Sequence, residues 1–277
     1  MSLAIPFRVF ENPDSASAQV ATGLAELIRS RASLGRGVVL GLATGKSPLP
    51  LYEELIYLHR EEGLSFANVT TFNLDEYIGL ESSDPASFRS YMQRNFFDHV
   101  DIPPGNIRFL SGMIADAEIT AHCADYDKAI RRAGGIDYQI LGIGRSGHIG
   151  FNEPGASISG RSQRVKLEES TRRDAAEAFG GIEHVPTHAV TMGCGTILKA
   201  RRIALLAWGS AKASIIRKAI LGPVTPRVTA SYLQKHPAVR CYLDAPAASL
   251  LKSRSSAETT SSEPARRRRT WWVVLLE

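Results

Sequence analysis

"GVVLGLATGKSPLPLYEEL", residues 37–55, decides the fold. Residues 37–44 form an apolar run carrying Val38 and Val39, the pattern of a strand buried on both faces. Thr44, Gly45, Lys46 and Ser47 then turn the chain. The next residues read as a helix, with Ser47 as expected N-cap and Pro48 at the first helical position.

The same alternation repeats outward from this unit. Strands are expected at 7–10, 69–77 (leading into a loop), 137–144, 201–209 and 239–244. Helices are expected at 15–33, 85–100, 115–135 and 210–221, the third closing on Gly134 and Gly135. This order predicts an α/β fold: a mostly parallel sheet with helices on both faces. Ligands of such sheets bind beyond the carboxyl ends of the strands. Polar clusters fall there, "ATGKS", "NLDEY", "RSGH" and "GSAK", so four separate segments are expected to converge on one crevice.

One domain is expected over residues 1–251. From 252 onward "KSRSSAETTSSEPARRRR" offers nothing to bury and reads as a basic, low-complexity tail, disordered or linker. "TWWVVLLE" closes the chain, either docking on the body or leading to a further segment. The net charge of +5 comes largely from Arg266, Arg267, Arg268 and Arg269, so it does not argue for a nucleic-acid partner. No run of about 18 apolar residues suggests a membrane span, and the start lacks the pattern of a signal peptide. Cys123, Cys194 and Cys241 are odd in number and lack metal-ligand spacing, which suggests buried thiols, a reducing cytoplasmic setting and no metal.

Three motifs carry chemistry. "GLATGKSP" (41–48) is one residue short of a P-loop, because only Leu42, Ala43 and Thr44 separate Gly41 from Gly45. It suits either one phosphate at a helix start or an ordinary Ser-capped helix. In "NLDEY", Asp75 and Glu76 project to opposite sides of a strand, so one carboxylate faces the crevice. The pair reads either as solvated loop charges or, with one carboxylate screened by Phe72 and Tyr77, as an acid of raised pKa that would serve as a general base. Gly142, Gly144 and Gly147 have the spacing of a dinucleotide fingerprint, but His148, Gly150, Asn152, Pro154 and Gly155 follow and no helix can start there. A nicotinamide cofactor is therefore rejected. What stays is a loop holding His148 and Glu153, an imidazole with a carboxylate in reach to orient it.

Together these segments resemble glucosamine-6-phosphate deaminases (glucosamine-6-phosphate isomerases). The resemblance runs from about 7 to 250 and rests above all on "FNLDEYIGL" and "GHIGFNEP". The related 6-phosphogluconolactonases share the fold and a Gly-His turn but not the "FNEP" continuation. The resemblance implies a modified Rossmann-like sheet and a reaction without metal or organic cofactor, giving fructose 6-phosphate and ammonia. It places Asp75 as the enolising base, His148 as the ring-opening acid/base and Glu153 as its support. Ala43, Thr44, Gly45, Ser47, Gly142 and Lys212 fall on substrate and phosphate contacts. The partner expected is a small sugar phosphate, and the family leaves room for a homo-oligomer.

Departures are equally informative. Ser146 stands where well-known members carry an acid before the Gly-His, and Arg145 precedes it. Gln163 and Val165 occupy the positions of an activator-binding Arg and Lys, so no such activation is expected. Glu177 lies near the position of an active-site arginine. A weakly active or sugar-phosphate-sensing homologue and a lactonase-like hydrolase are the competing readings.

Overall fold

The structure, a computed structural model, describes residues 4–251; the expected tail at 252–277 lies outside the described residues. The elements begin with β1 (Phe7–Phe10), α1 (Pro13–Ala32), β2 (Val38–Leu42), α2 (Leu49–Glu62), β3 (Val69–Asn73) and β4 (Asp75–Tyr77). There follow α3 (Phe88–Asn95), β5 (Ile107–Arg108), α4 (Ile119–Arg132), β6 (Tyr138–Leu141), β7 (Gln163–Lys166) and α5 (Glu169–Phe179). The remainder is β8 (His188–Thr191), α6 (Cys194–Ile197), β9 (Arg202–Ala207), α7 (Ala213–Leu221), β10 (Val239–Asp244) and α8 (Ala245–Ala248).

Seven strands form one sheet in the order β1-β10-β9-β6-β2-β3-β5, every neighbouring pair parallel. The two-residue period of each strand feeds both faces. Val38, Leu40 and Leu42 pack with α1 and α2, whereas Val39, Leu141 and Leu205 pack with α4 and α7. The fold is the expected Rossmann-like α/β arrangement. After β2 the chain builds outward through β3 and β5; after β6 it builds the other way through β9 and β10. The boundary between β2 and β6 is thus the topological switch point, where loops on the carboxyl side diverge and leave a crevice.

Several local expectations are corrected. The strand expected at 69–77 breaks at Leu74, whose N–H donates to Leu42 O at 3.0 Å. Beyond it, β4 leaves the main sheet and pairs antiparallel with β8, which pairs with β7 in a second, three-stranded sheet. Ser47 is not an N-cap: α2 starts at Leu49 with Pro48 in the cap position and no side-chain cap. Pro48 O accepts from Tyr52 N, and Ser47 O accepts from Trp208 Nε1 at 2.9 Å, so the turn is held by tertiary contacts. Conversely, α1 starts earlier than read, under a capping box between Asn12 and Ser15.

All three cysteines are buried, and burial pushes the thiols of Cys123 and Cys194 up to about 11 and about 12. Among the described residues, no helix is long and apolar enough to cross a membrane.

Candidate active site

The loops at the switch point bring the first group of sequence-singled residues together. Loop 43–47 leaves β2 through Gly45, whose φ of 94° is the left-handed region that a side chain disfavours. Tyr52 OH donates to Ala43 O at 2.6 Å and Tyr91 OH to Gly45 O at 2.8 Å, fixing the loop from α2 and α3. Gly142, just past β6, faces this loop: a Cβ there would stand 3.8 Å from that of Ser47. Lys212, at the start of α7, donates from Nζ to Ile143 O at 2.7 Å. Burial holds the Lys212 pKa below its ordinary value; Asp174 opposes that effect and Arg145 adds to it. The result is a half-buried ammonium at the loop after β6, a charge suited to a small dianion.

The loop after β6 is shaped around His148. A Cβ on Gly144 would lie 2.1 Å from His148 Nε2, so that glycine is needed because the imidazole occupies its space. Ser146 Oγ is 2.8 Å from His148 Nδ1, and Glu153 Oε2 is 3.1 Å from the same nitrogen. The serine has hydrogen-bond geometry; the Glu153 Oε2 contact is an ion-pair distance, and that oxygen has no hydrogen-bond partner. Glu153 Oε1 accepts from Thr171 Oγ1 at 2.5 Å and from Glu168 N at 3.4 Å. Burial raises the Glu153 pKa, but His148, Thr171 and the Glu168 N–H together outweigh it and hold the carboxyl below its usual range. Nδ1 is thereby engaged, which leaves Nε2 as the nitrogen for proton transfer.

Across this loop sits Asp75. It is buried, and burial first and the neighbouring Glu76 second push its pKa up to about 8. A Cβ on Gly150 would lie 3.4 Å from Asp75 Oδ2 and 3.0 Å from Thr191 Oγ1, so Gly150 lets the His148–Glu153 loop close onto the acid. Glu76 points the other way, as the alternation of a strand requires. Its carboxylate accepts from Tyr77 N, Phe88 N and Arg89 N, each at 2.9 Å, and caps α3. Of the adjacent pair, one is thus a crevice acid and the other a helix anchor. Tyr77, Phe88, Phe151 and Phe179 interlock with ring centroids 4.8–5.7 Å apart, tying β4, α3, the loop and α5 into one rigid unit.

The remaining positions lie outside this cluster or at its edge. Gln163 and Val165 are on β7 in the second sheet. Glu177 is on the exposed face of α5, 4.0 Å from Lys46 Nζ. Arg145 Nε lies 3.0 Å from Asp174 Oδ1, also on α5. Thr171 was not read from the sequence as a site residue: a Thr in a polar helix carries no signal until the fold lays it on Glu153. Among the described residues no group of three or more His, Cys, Asp or Glu is placed to hold a metal ion.

Fold and crevice together define a Rossmann-like α/β protein with its polar cluster at the switch point. The chain belongs to the family described as glucosamine-6-phosphate isomerases/6-phosphogluconolactonase, whose model matches residues 11–240. It is 47% identical over 236 residues to a glucosamine-6-phosphate deaminase of Arthrobacter sp., covering 85% of this chain and 90% of that one. A glucosamine-6-phosphate deaminase of Halothermothrix orenii is 47% identical over 225 residues, covering 81% and 92%. A solved structure described as a monomeric glucosamine-6-phosphate deaminase superposes with a TM-score of 0.84 at 42% identity, covering 89% of this chain and all of that one. A 6-phosphogluconolactonase from Trypanosoma cruzi shares the fold, with a TM-score of 0.70 at 20% identity over 91% of this chain and 99% of that one.

Proposed function

We propose that this chain converts glucosamine 6-phosphate and water to fructose 6-phosphate and ammonia. The observation that carries the reading is the meeting of a buried, high-pKa Asp75 with the His148–Glu153 loop, on the same carboxyl side of the sheet as loop 43–47 and Lys212. Relatives at 45–48% identity bearing the deaminase name support it.

In this reading the phosphate is held by loop 43–47, Gly142 and Lys212, which fixes the sugar carbons against the acid/base groups. His148 opens the ring by moving a proton between O1 and the ring oxygen, with Glu153 stabilising the imidazolium. Asp75, as carboxylate, takes the C2 proton while O1 gains one from the His148 side, giving a C1=C2 enolamine, and then protonates C1 to leave a C2=N iminium. Water adds at C2 and the C–N bond breaks, so ammonia leaves and the water oxygen becomes the C2 carbonyl. Ser146 orients His148 Nδ1 but adds no charge, so one carboxylate does what two would do together.

Ammonia and fructose 6-phosphate are measured from glucosamine 6-phosphate with wild type and Ser146→Asp. Equal release of both products by wild type, and a several-fold higher kcat in the variant, are expected from the second carboxylate at Nδ1. Sugar-phosphate binding without turnover in wild type, rescued by Ser146→Asp, overturns the reading in favour of a sensor. Hydrolysis of 6-phosphogluconolactone in place of ammonia release overturns it in favour of a lactonase.

A further inference from the structure

α5 is a solvent-facing helix in which Thr171 alone is buried. Thr171 stands in the first turn, where the carbonyl four residues earlier lies before the helix, so its hydroxyl has no partner of its own within α5. Thr171 Oγ1 instead donates out of the helix, to Glu153 Oε1 at 2.5 Å. The Glu168 N–H, at the start of the same helix, reaches the same oxygen at 3.4 Å. With Oε1 occupied from the α5 side, Oε2 is the oxygen left 3.1 Å from His148 Nδ1, an ion-pair contact on an oxygen that accepts no hydrogen bond.

We infer that Thr171 is a positioning residue for the acid/base pair, its hydroxyl holding the Glu153 carboxylate in the orientation that presents Oε2 to His148. The terminal torsion of a glutamate is broad, so packing alone leaves the plane of its carboxylate loosely set. A hydrogen bond from a fixed donor to one oxygen sets that plane, and with it the direction of the other oxygen. The need is sharper in this chain because Ser146 brings no charge, which makes Glu153 the carboxylate that sets the imidazole.

The rest of the helix supports a role beyond packing. Three residues on from Thr171, Asp174 meets Arg145 of the loop after β6; three further on, Glu177 lies 4.0 Å from Lys46 of loop 43–47. Thr171 and Asp174, three apart, lie on neighbouring parts of one helix face, whereas the Glu177–Lys46 contact joins two exposed side chains. Arg172 clamps the helix from behind, donating to Ile182 O at 2.8 Å and Val185 O at 2.9 Å.

The test compares Thr171→Val, which keeps the shape and removes the hydroxyl, with Thr171→Ser, which keeps the hydroxyl. Steady-state ammonia release is expected to show kcat about tenfold lower or more in the Val variant, with KM within about twofold, and most of kcat restored in the Ser variant. The rate arm rests on the deaminase reading, so 15N and 1H NMR of the His148 ring in the substrate-free protein is measured alongside it. The Val variant is expected to shift the Nδ1 signals, and the Ser variant to leave them near those of wild type. An unchanged kcat in the Val variant, equal impairment of both variants, or a His148 spectrum indifferent to Thr171→Val each overturns the inference. Absence of glucosamine 6-phosphate turnover in wild type counts against the deaminase reading alone, because the NMR comparison still decides the role of Thr171.

Discussion

Asp75→Asn separates what the site does from what it costs. Burial and Glu76 raise the Asp75 pKa from 3.8 to about 8. A carboxyl whose folded pKa lies above its unfolded value favours the folded state at low pH. That contribution is complete below about pH 4 and is lost as pH rises through about 8. At about 1.4 kcal/mol per pH unit the full span is worth roughly 6 kcal/mol. Water following the ionised carboxylate into the crevice reduces that to roughly 3 kcal/mol. Asparagine carries no such cost. Between pH 5 and about 8, about three units of the span are crossed, worth roughly 2 kcal/mol, so the Tm advantage of Asp75→Asn over wild type is expected to grow by about 4–8 °C between pH 5 and pH 9 in calorimetric scans. Turnover is expected to vanish in the variant at every pH. In wild type kcat is expected to climb as pH approaches about 8, because the base acts as the carboxylate. A Tm difference that stays flat across this range, or a variant that keeps turnover, would refute the reasoning.

Two further outcomes follow from the geometry. Gly144→Ala drives a methyl to where His148 Nε2 stands 2.1 Å away, so kcat is expected to fall at least about tenfold with substrate binding retained, seen as a change in kcat without a matching rise in KM. Lys212→Gln keeps a donor for Ile143 O but removes the charge; a charge-assisted phosphate contact of roughly 1.5–3 kcal/mol predicts a KM about 10- to 100-fold higher, read from initial rates across substrate concentrations.

The parallel sheet was legible because each of its buried strands announces itself. "VVLGL" has no polar residue to place in water, and helices with apolar periodicity separate such runs. The second sheet was not, since Gln163–Lys166 alternates half-buried with exposed residues and becomes a strand only by pairing with His188–Thr191. Asp75 and Glu76 show the same divide within two residues. Their opposite directions follow from the strand period, yet which one faces the crevice depends on where α3 puts its free N–H groups. Ser47 is not the cap because α2 starts one residue later, with Pro48 in the cap position, while Trp208, 161 residues away, holds the Ser47 carbonyl.

Local sequence thus determined the central strands of the parallel sheet, the helices that alternate with them, the glycine turns and the kinds of acid, base and cation at strand ends. These depend on side-chain period and backbone sterics, which act over a few residues. Tertiary structure alone decided which groups meet: Asp75 over Gly150, Ser47 beside Gly142, and Thr171 on Glu153. Those contacts join segments far apart in the chain, and their distances exist only once the sheet order and the packing of α5 are set.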